Sequence, residues 1–300
     1  MLPSQGRTHF CYCAASGRPA TLAARKMAER KFNALPGFGL TFGFTLLYLS
    51  AIVLIPIAGL FLRTLQISWI EFWRLATTAR ALAAYKLTFG ASLVAALANA
   101  VFGTILAWVL VRYEFAGKRF IDGLVDFPFA LPTAVAGLTL ANLFADNGWL
   151  GQWLVPLGFK GAFTPLGVVI ALTFVGMPFA VRTLQPVLEH LEREVEEAAA
   201  TLGASRVRTF FSIIAPTLMP TIITGFALAF ARAVGEYGSV VFISGNLPFE
   251  TEIAPYLVVM RLEEYDYAGA VALAVVLMVI SFAMLYVINW LENWSGRYEK

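Results

Sequence analysis

Two ionisable residues, Arg232 and Glu236, lie four apart inside an otherwise apolar run, "ALAFARAVGEYGSVVFISGN" (227–246). An unpaired charge at the centre of an apolar span costs roughly 2.5–3.5 kcal/mol on insertion scales, so its retention calls for a partner or a task. At i, i+4 on a helix the two side chains reach each other. Following that face gives Gly225, Ala229, Arg232, Glu236 and Ser239, all small or polar, while Ile222, Ile223, Phe226 and Phe230 occupy other faces. Such a stripe faces protein or a water-filled path, not lipid. Two readings stay open: a guanidinium that lowers the barrier to a passing anion, and a structural pair that locks helices together. A glutamate on the same face partly cancels the attraction, which suits transit better than tight holding, because a tightly held ion cannot leave.

Other chemistry is poorly supplied. His9 and His190 are the only histidines, and Cys11 and Cys13 the only cysteines, outside C-x-x-C spacing. That leaves no His-based triad or metal site and no zinc or disulfide framework. The chain also lacks a G-x-S-x-G elbow and a paired-aspartate motif in its apolar runs. We therefore expect no catalytic residue, no metal and no cofactor of its own.

The elements that position these residues follow from composition. Of 300 residues 59% are hydrophobic and only 14% charged, with 25 Phe and 7 Trp, and mean hydropathy is +0.73. A soluble fold could not hide that much apolar surface, so lipid is part of the solvent. A hydrocarbon core about 30 Å thick needs roughly 20 apolar residues per helix. Six stretches qualify, near 40–62, 87–111, 124–145, 165–186, 217–244 and 268–291. The expected fold is all-α: one polytopic membrane domain of six helices over 37–295, after a tail at 1–36. The third span is the least regular, because Pro128 and Pro132 interrupt it. Nothing in the chain points to nucleic acid.

Orientation follows from the basic residues. With the N-terminus inside, fifteen of the 22 Lys and Arg fall on the cytoplasmic side and six outside, with Arg232 within a span. Both termini are therefore expected in the cytoplasm. Residues 1–28 lack Asp and Glu and resemble a transit peptide in composition. The alternatives for the tail are a disordered extension or a true start at Met27, "MAERKF". Asn293-Trp294-Ser295 matches a glycosylation acceptor but falls on the cytoplasmic side, a chance match.

One stretch on that side is strongly polar: "EEAAATLGASRVRTFFSIIAP" (196–216). Leu188, Leu191, Val195, Ala199 and Leu202 recur every three or four residues, predicting one helical face. Glu189, Glu192, Glu194, Glu196 and Glu197 occupy the rest. Gly203 stops that helix in the left-handed conformation, and Ser205 caps the next. The second helix carries Arg206, Arg208, Phe210, Phe211 and Ile214 until Pro216 breaks it. The small residues at this bend let a partner surface approach closely.

These same residues resemble a known loop. Glu197, Ala198 and Ala199, then Gly203, Ile213 and Pro216, resemble the EAA loop of ABC-importer permeases, with Ala215 where the family usually has Leu. The resemblance implies that 187–216 docks on an ATP-binding subunit. "DFPFALPTAVAGLTLA" (126–141), "PFAVRTLQPVLE" (178–189) and "ALAFARAVGEYGSVVFISGN" (227–246) resemble the sulfate/thiosulfate permeases of the T type, over about 35–291. That family implies a type I importer fold in a bacterial inner membrane, with a chloroplast membrane as the alternative. It also implies a second permease of the W type, two copies of the ATP-binding subunit and a periplasmic sulfate/thiosulfate-binding protein. No G-x-x-x-x-G-K-[ST] sequence occurs, so ATP is hydrolysed by another chain. On the pathway reading, with a sulfate dianion as cargo, Arg232 lowers the barrier and Glu236, Gly225 and Ser239 are candidates along the path; the structural-pair reading stays open.

Two alternatives are kept. Molybdate/tungstate permeases share the pattern of "GEYG" (235–238), and a secondary anion transporter working alone is the different class. Smaller signals receive structural readings. Asp122 and Asp126 cap the third span or pair with Arg119, and Asn142 hydrogen-bonds across helices. Trp69, Trp73, Trp149 and Trp153 sit in an outer aromatic belt, and 67–86 forms an outer interfacial helix beside the binding protein.

Overall fold

The computed structural model describes residues 38–191 and 193–295. The tail at 1–36, with His9, Cys11, Cys13 and Met27, lies outside the described residues, as do Glu192, Arg297 and Lys300. The described chain is helical: α1 (Phe38–Thr64), α2 (Trp69–Ala76), α3 (Ala79–Arg112), α4 (Lys118–Val125), α5 (Phe127–Ala130), α6 (Thr133–Phe144), α7 (Gly151–Leu154), α8 (Pro165–His190), α9 (Arg193–Thr201), α10 (Arg206–Thr209), α11 (Ala215–Val234), α12 (Gly238–Ile243), α13 (Ala254–Glu263) and α14 (Tyr267–Ser295). By its contacts the chain divides after Ile57, within α1; the rest of the fold belongs to the unit 58–300.

Among the described residues five helical runs are long and apolar enough to cross a membrane: 38–64, 79–112, 165–190, 206–234 and 267–290. The third expected span differs. Instead of one helix over 124–145, the chain makes α5, pauses at Leu131 and Pro132, and restarts as the twelve-residue α6. Proline lacks the N–H that would continue the ladder and forces its predecessor out of the helical region, and Leu131 is extended, with ψ 137°. The interfacial helix expected over 67–86 also divides. Ser68 accepts from the Glu71 N–H to start α2, and Thr78 accepts from the Ala81 N–H to start α3, eight residues ahead of the expected 87.

Helices in lipid gain little from hiding apolar surface, because hydrocarbon is already apolar; close packing of small side chains holds them instead. The sequence of α3 supplies this with Ala81, Ala84, Ala91, Ala95, Ala96 and Ala107, all buried. At its centre three helices meet. A Cβ on Gly103 of α3 would lie 2.8 Å from the Ala180 Cβ of α8, and one on Gly225 of α11 would lie 3.3 Å from the Ala180 Cα. Leu184 and Leu188 of α8 and Leu218 of α11 complete the apolar cluster beside them. A second crossing joins the two short helices, where a Cβ on Gly137 of α6 would lie 2.2 Å from the Ser239 carbonyl of α12. Backbone against backbone leaves no room for a side chain.

This crossing generates a test. Gly137→Val places three carbons against a carbonyl that cannot retreat, and overpacking of this kind costs about 1–3 kcal/mol or more. We expect a lower thermal midpoint and a smaller yield of monodisperse protein in detergent. Gly90→Ala on α3, where an added Cβ meets nothing within 4 Å, should leave both unchanged.

Candidate functional site

The run expected as a single span over 217–244 is broken in its middle. α11 ends at Val234, Gly235 turns the chain, and α12 restarts at Gly238. A restarted helix exposes backbone N–H groups with no partner in the preceding turn. Glu236 answers that need. One carboxylate oxygen accepts from the Ser239 N–H at 2.9 Å and the Ser239 Oγ at 2.8 Å. The other oxygen pairs with the Arg232 guanidinium. The carboxylate is 2% exposed, whereas the Arg232 side chain remains one-third open at 33%. Arg232, Glu236 and Ser239 are therefore brought together as the i, i+4 spacing predicts, although the helix carrying that spacing has stopped. A Cβ on Gly238 would strike the Thr133 Oγ1 at the start of α6, so the two short helices begin side by side. Gly225 stands apart from the trio: it faces Ala180 and Thr183 of α8. Ala229 is buried with its Cβ against Gly176, so this part of the stripe faces protein.

The polar loop folds by local signals. α9 stops at Gly203, whose φ is +80°. The Gly203 N–H donates to the Ala200 carbonyl and the Ala204 N–H to the Ala199 carbonyl, both at 3.0 Å, so the end carbonyls of α9 are satisfied. The Ser205 Oγ accepts from the Arg208 N–H at 3.3 Å and starts α10. Two expectations are corrected here. Pro216 does not break the second helix: the run 206–234 is continuous, passing through a wider π turn at Phe210–Ile214. There the Ala215 N–H reaches back to the Phe210 carbonyl, five residues away, and Pro216 lies in the first turn of α11, where its missing N–H costs little. The face Leu188 to Leu202 is also not one helix. α8 ends at His190 and α9 begins at Arg193. Leu188 and Ala199 are buried, whereas Val195 is exposed and Leu202 is 88% exposed. Glu197 and Ala198 are exposed, Ile213 is half-buried and Pro216 is exposed.

Asp122 and Asp126 neither cap a helix with their side chains nor pair with Arg119. Both bind Arg182 of α8. Its Nε and Nη2 donate to the Asp126 carboxylate at 2.9 and 2.6 Å, and its Nη1 donates to Asp122 at 2.7 Å. The Gln185 amide donates to Asp122 at 3.0 Å. The Gln185 hydrogen bond, and then Arg182, hold the Asp122 carboxyl below its ordinary pKa against the opposing effect of burial. On the far end of the fold, Arg80 of α3 forks onto Glu252, with Nε and Nη2 each donating at 2.7 Å to a carboxylate that is 1% exposed. The sequence reading missed both arrangements; 56 to 172 residues separate the partners, beyond any periodicity. Asn142 donates within its own helix, to the Leu138 carbonyl. The tryptophans expected in a belt, Trp69, Trp73, Trp149 and Trp153, are exposed.

Known proteins resemble this chain along nearly all of the described length. Residues 99–296 match the family model described as binding-protein-dependent transport system inner membrane component. A probable sulfate transport system permease protein of Nephroselmis olivacea is 54% identical over 83% of this chain and 87% of its own. The sulfate transport system permease protein of Synechococcus elongatus is 52% identical over 91% and 98%, and that of Escherichia coli K12 is 46% identical over 88% and 95%. In fold, the chain is similar to a bacterial ABC transporter involved in alginate import, with a TM-score of 0.71 at 14% identity, over 88% of this chain and 99% of that one.

The geometry at the break predicts an asymmetry between two substitutions. Glu236→Ala leaves Arg232 and two Ser239 donors without their acceptor. Removing one partner of a buried pair costs up to about 3–5 kcal/mol, less here because the Arg232 side chain is 33% exposed, so a clear drop in thermal midpoint and folded yield is expected. Glu236→Gln keeps an acceptor for Ser239 and should show a clearly smaller drop in thermal midpoint.

Proposed function

Since this chain belongs to the binding-protein-dependent transport system inner-membrane component family, we propose that it is the membrane-spanning permease subunit of an ATP-driven sulfate and thiosulfate importer. The observation that carries this reading is the identity of 46–54% with sulfate transport permeases over at least 83% of the chain. The loop supports it. A bent pair of short helices presents Glu197, Ala198, Leu202 and Val207 to solvent, a polar and apolar surface suited to a protein partner. Glu197, Ala198, Ala199, Gly203, Ile213 and Pro216 form the seat for a separate ATP-binding subunit, two copies of which serve this chain and a second permease. The basic bias then puts the loop and both termini in the cytoplasm of a bacterial inner membrane. A periplasmic binding protein delivers the anion on the opposite side; one solved relative of the same fold is an alginate transporter in complex with a periplasmic protein.

Within the membrane, Arg232 is the cation that meets the anion. Its partner carboxylate is engaged by Ser239, while the Arg232 side chain is 33% exposed. The start of α6, the positive end of a twelve-residue helix, abuts Gly238 beside it. A sulfate dianion passing here would be stabilised but not trapped, because Glu236 offsets part of the charge. Affinity then belongs to the binding protein.

Two measurements on the reconstituted transporter test this. Sulfate delivered by its binding protein should stimulate ATP hydrolysis and be taken up, with molybdate a poor competitor; preferred uptake of molybdate would refute the substrate assignment. Arg232→Gln should lower uptake per assembled complex by at least about tenfold, a loss of the order of one desolvated charge contact. Arg232→Lys, which keeps the charge without the planar fork, should keep part of the rate. Gly203→Val addresses the loop separately. A β-branched residue resists φ of +80°, so the variant should insert normally yet lose stimulation of the ATPase.

A further inference from the structure

α8 runs directly into the docking loop and α11 runs directly out of it, so any displacement of the loop reaches both through the chain. α3 has no such connection along the chain, although it packs on α8 at Gly103 and Ala180. Ala107, Trp108 and Leu110 pack on Phe210 and Ile214 of the loop, and among the described residues the side-chain hydrogen bonds from α3 to the loop come from Arg112. The Arg112 Nη2 donates to Glu196 of α9 at 2.7 Å and to the Leu191 carbonyl, the cap of α8, at 3.4 Å. Its guanidinium carbon lies 5.3 Å above the Trp108 ring, and Trp108 meets the edge of Phe210 at 5.9 Å, in the π turn that opens the run into α11. One side chain therefore touches the entry arm and the short helix of the loop, and through Trp108 its exit arm. The pair is sheltered: the Arg112 side chain is 11% exposed and that of Glu196 is 35%. Solvent screens it less than an open surface pair.

α3 is also suited to carry displacement. It runs 34 residues with no proline, about 50 Å at 1.5 Å per residue. α8 holds Pro178 and Pro186, and α11 holds Pro220, inside their lengths, and proline is where helices kink. At its other end α3 grips Glu252 with the Arg80 fork. The Thr88 Oγ1 accepts the Ala254 N–H at 2.8 Å, holding the start of α13. The segment so held, at Glu252 and Ala254, comes after α12, the restarted helix capped by Glu236 and ending at Ile243. A stiff rod thus has an arginine contact at each end, one on the loop and one on the far-side segment next to the break.

We propose that Arg112, acting through Glu196, is the positioning residue that passes movement of the docking loop to α3, and through α3 to the segment after α12. This rests on the reading of 187–216 as the seat of an ATP-binding subunit. The test uses the complete reconstituted transporter with Arg112→Gln, Glu196→Gln, both together, and Arg112→Lys. It reads sulfate moved per ATP hydrolysed, with retention of the ATP-binding subunit on the purified membrane chain as the second readout. Each single variant should retain the ATP-binding subunit and lose about tenfold in sulfate per ATP. The double variant should be no worse than the worse single, because both remove one shared contact, and Arg112→Lys should recover part of the ratio. An unchanged ratio in the singles, losses that multiply in the double, or loss of the ATP-binding subunit from the singles would overturn the proposal. Failure of the docking reading shows elsewhere, as a native chain that retains no ATP-binding subunit at all.

Discussion

In hydrocarbon there is no water to satisfy a freed backbone group, so an interruption of a helix must be answered by protein or lie on a water-filled path. The fold depends on how one interruption, between Val234 and Gly238, is answered. The Glu236 carboxylate takes the Ser239 N–H and hydroxyl on one oxygen and Arg232 on the other. A bare carboxylate at that depth would be costly, and so would a bare guanidinium or the unpaired start of α12. Together they satisfy each other. The break then permits what an unbroken helix would forbid: α12 swings against α6 closely enough that Gly137 meets the Ser239 carbonyl with no space for a Cβ. The charged residues and the glycines are two parts of one solution.

Small residues do elsewhere what the ion pair does here. Gly103, Ala180 and Gly225 let α3, α8 and α11 converge on one point, and the packing they allow substitutes for a hydrophobic force that lipid does not supply. Around this centre Arg182 and Arg80 act as clasps. Arg182 gathers Asp122 and Asp126 from the connection before α6, and Arg80 holds Glu252 beyond α12. A planar guanidinium matches a carboxylate with two parallel bonds, which fixes direction as well as distance. Each of these clasps fastens a short or broken element to a long helix.

What could be read from the sequence was what local geometry decides. Gly203 and Ser205 announced the loop's bend because a left-handed turn and a cap each depend on a few neighbouring residues. The Arg232–Glu236 pair was legible from its spacing even though α11 stops between them, since the carboxylate of a residue just past the helix still reaches back one turn. Pro216 misled because a π turn upstream removes the conflict that proline normally creates, and no propensity encodes that turn. Leu131–Pro132 made the third span irregular on paper, but the sequence could not say that a twelve-residue helix would suffice. The clasps on Arg80, Arg112 and Arg182 were invisible, since partners 56 to 172 residues away are set by the assembled bundle. In the sequence they counted only as positive charge.

The contrast among these arginines bears on which of them serves the proposed dianion. Arg80 and Arg182 spend both prongs on carboxylates, and Arg182 adds Gln185 and a backbone carbonyl. A group so fully engaged offers an anion little without first losing what holds the fold. Arg232 engages one carboxylate whose other oxygen belongs to Ser239; its side chain, 33% exposed, is no more open than that of Arg182 at 32%, so the difference lies in its single partner. Its position is fixed by a partner that cannot follow the anion, because moving Glu236 would uncap α12. A cation held in place by a single carboxylate is, under the proposed function, preorganised for a passing charge, at little cost in rearrangement when the charge arrives. Held too openly it would bind; held as Arg182 is, it would not be felt. The single partner of Arg232 is what the proposed pathway step requires of it.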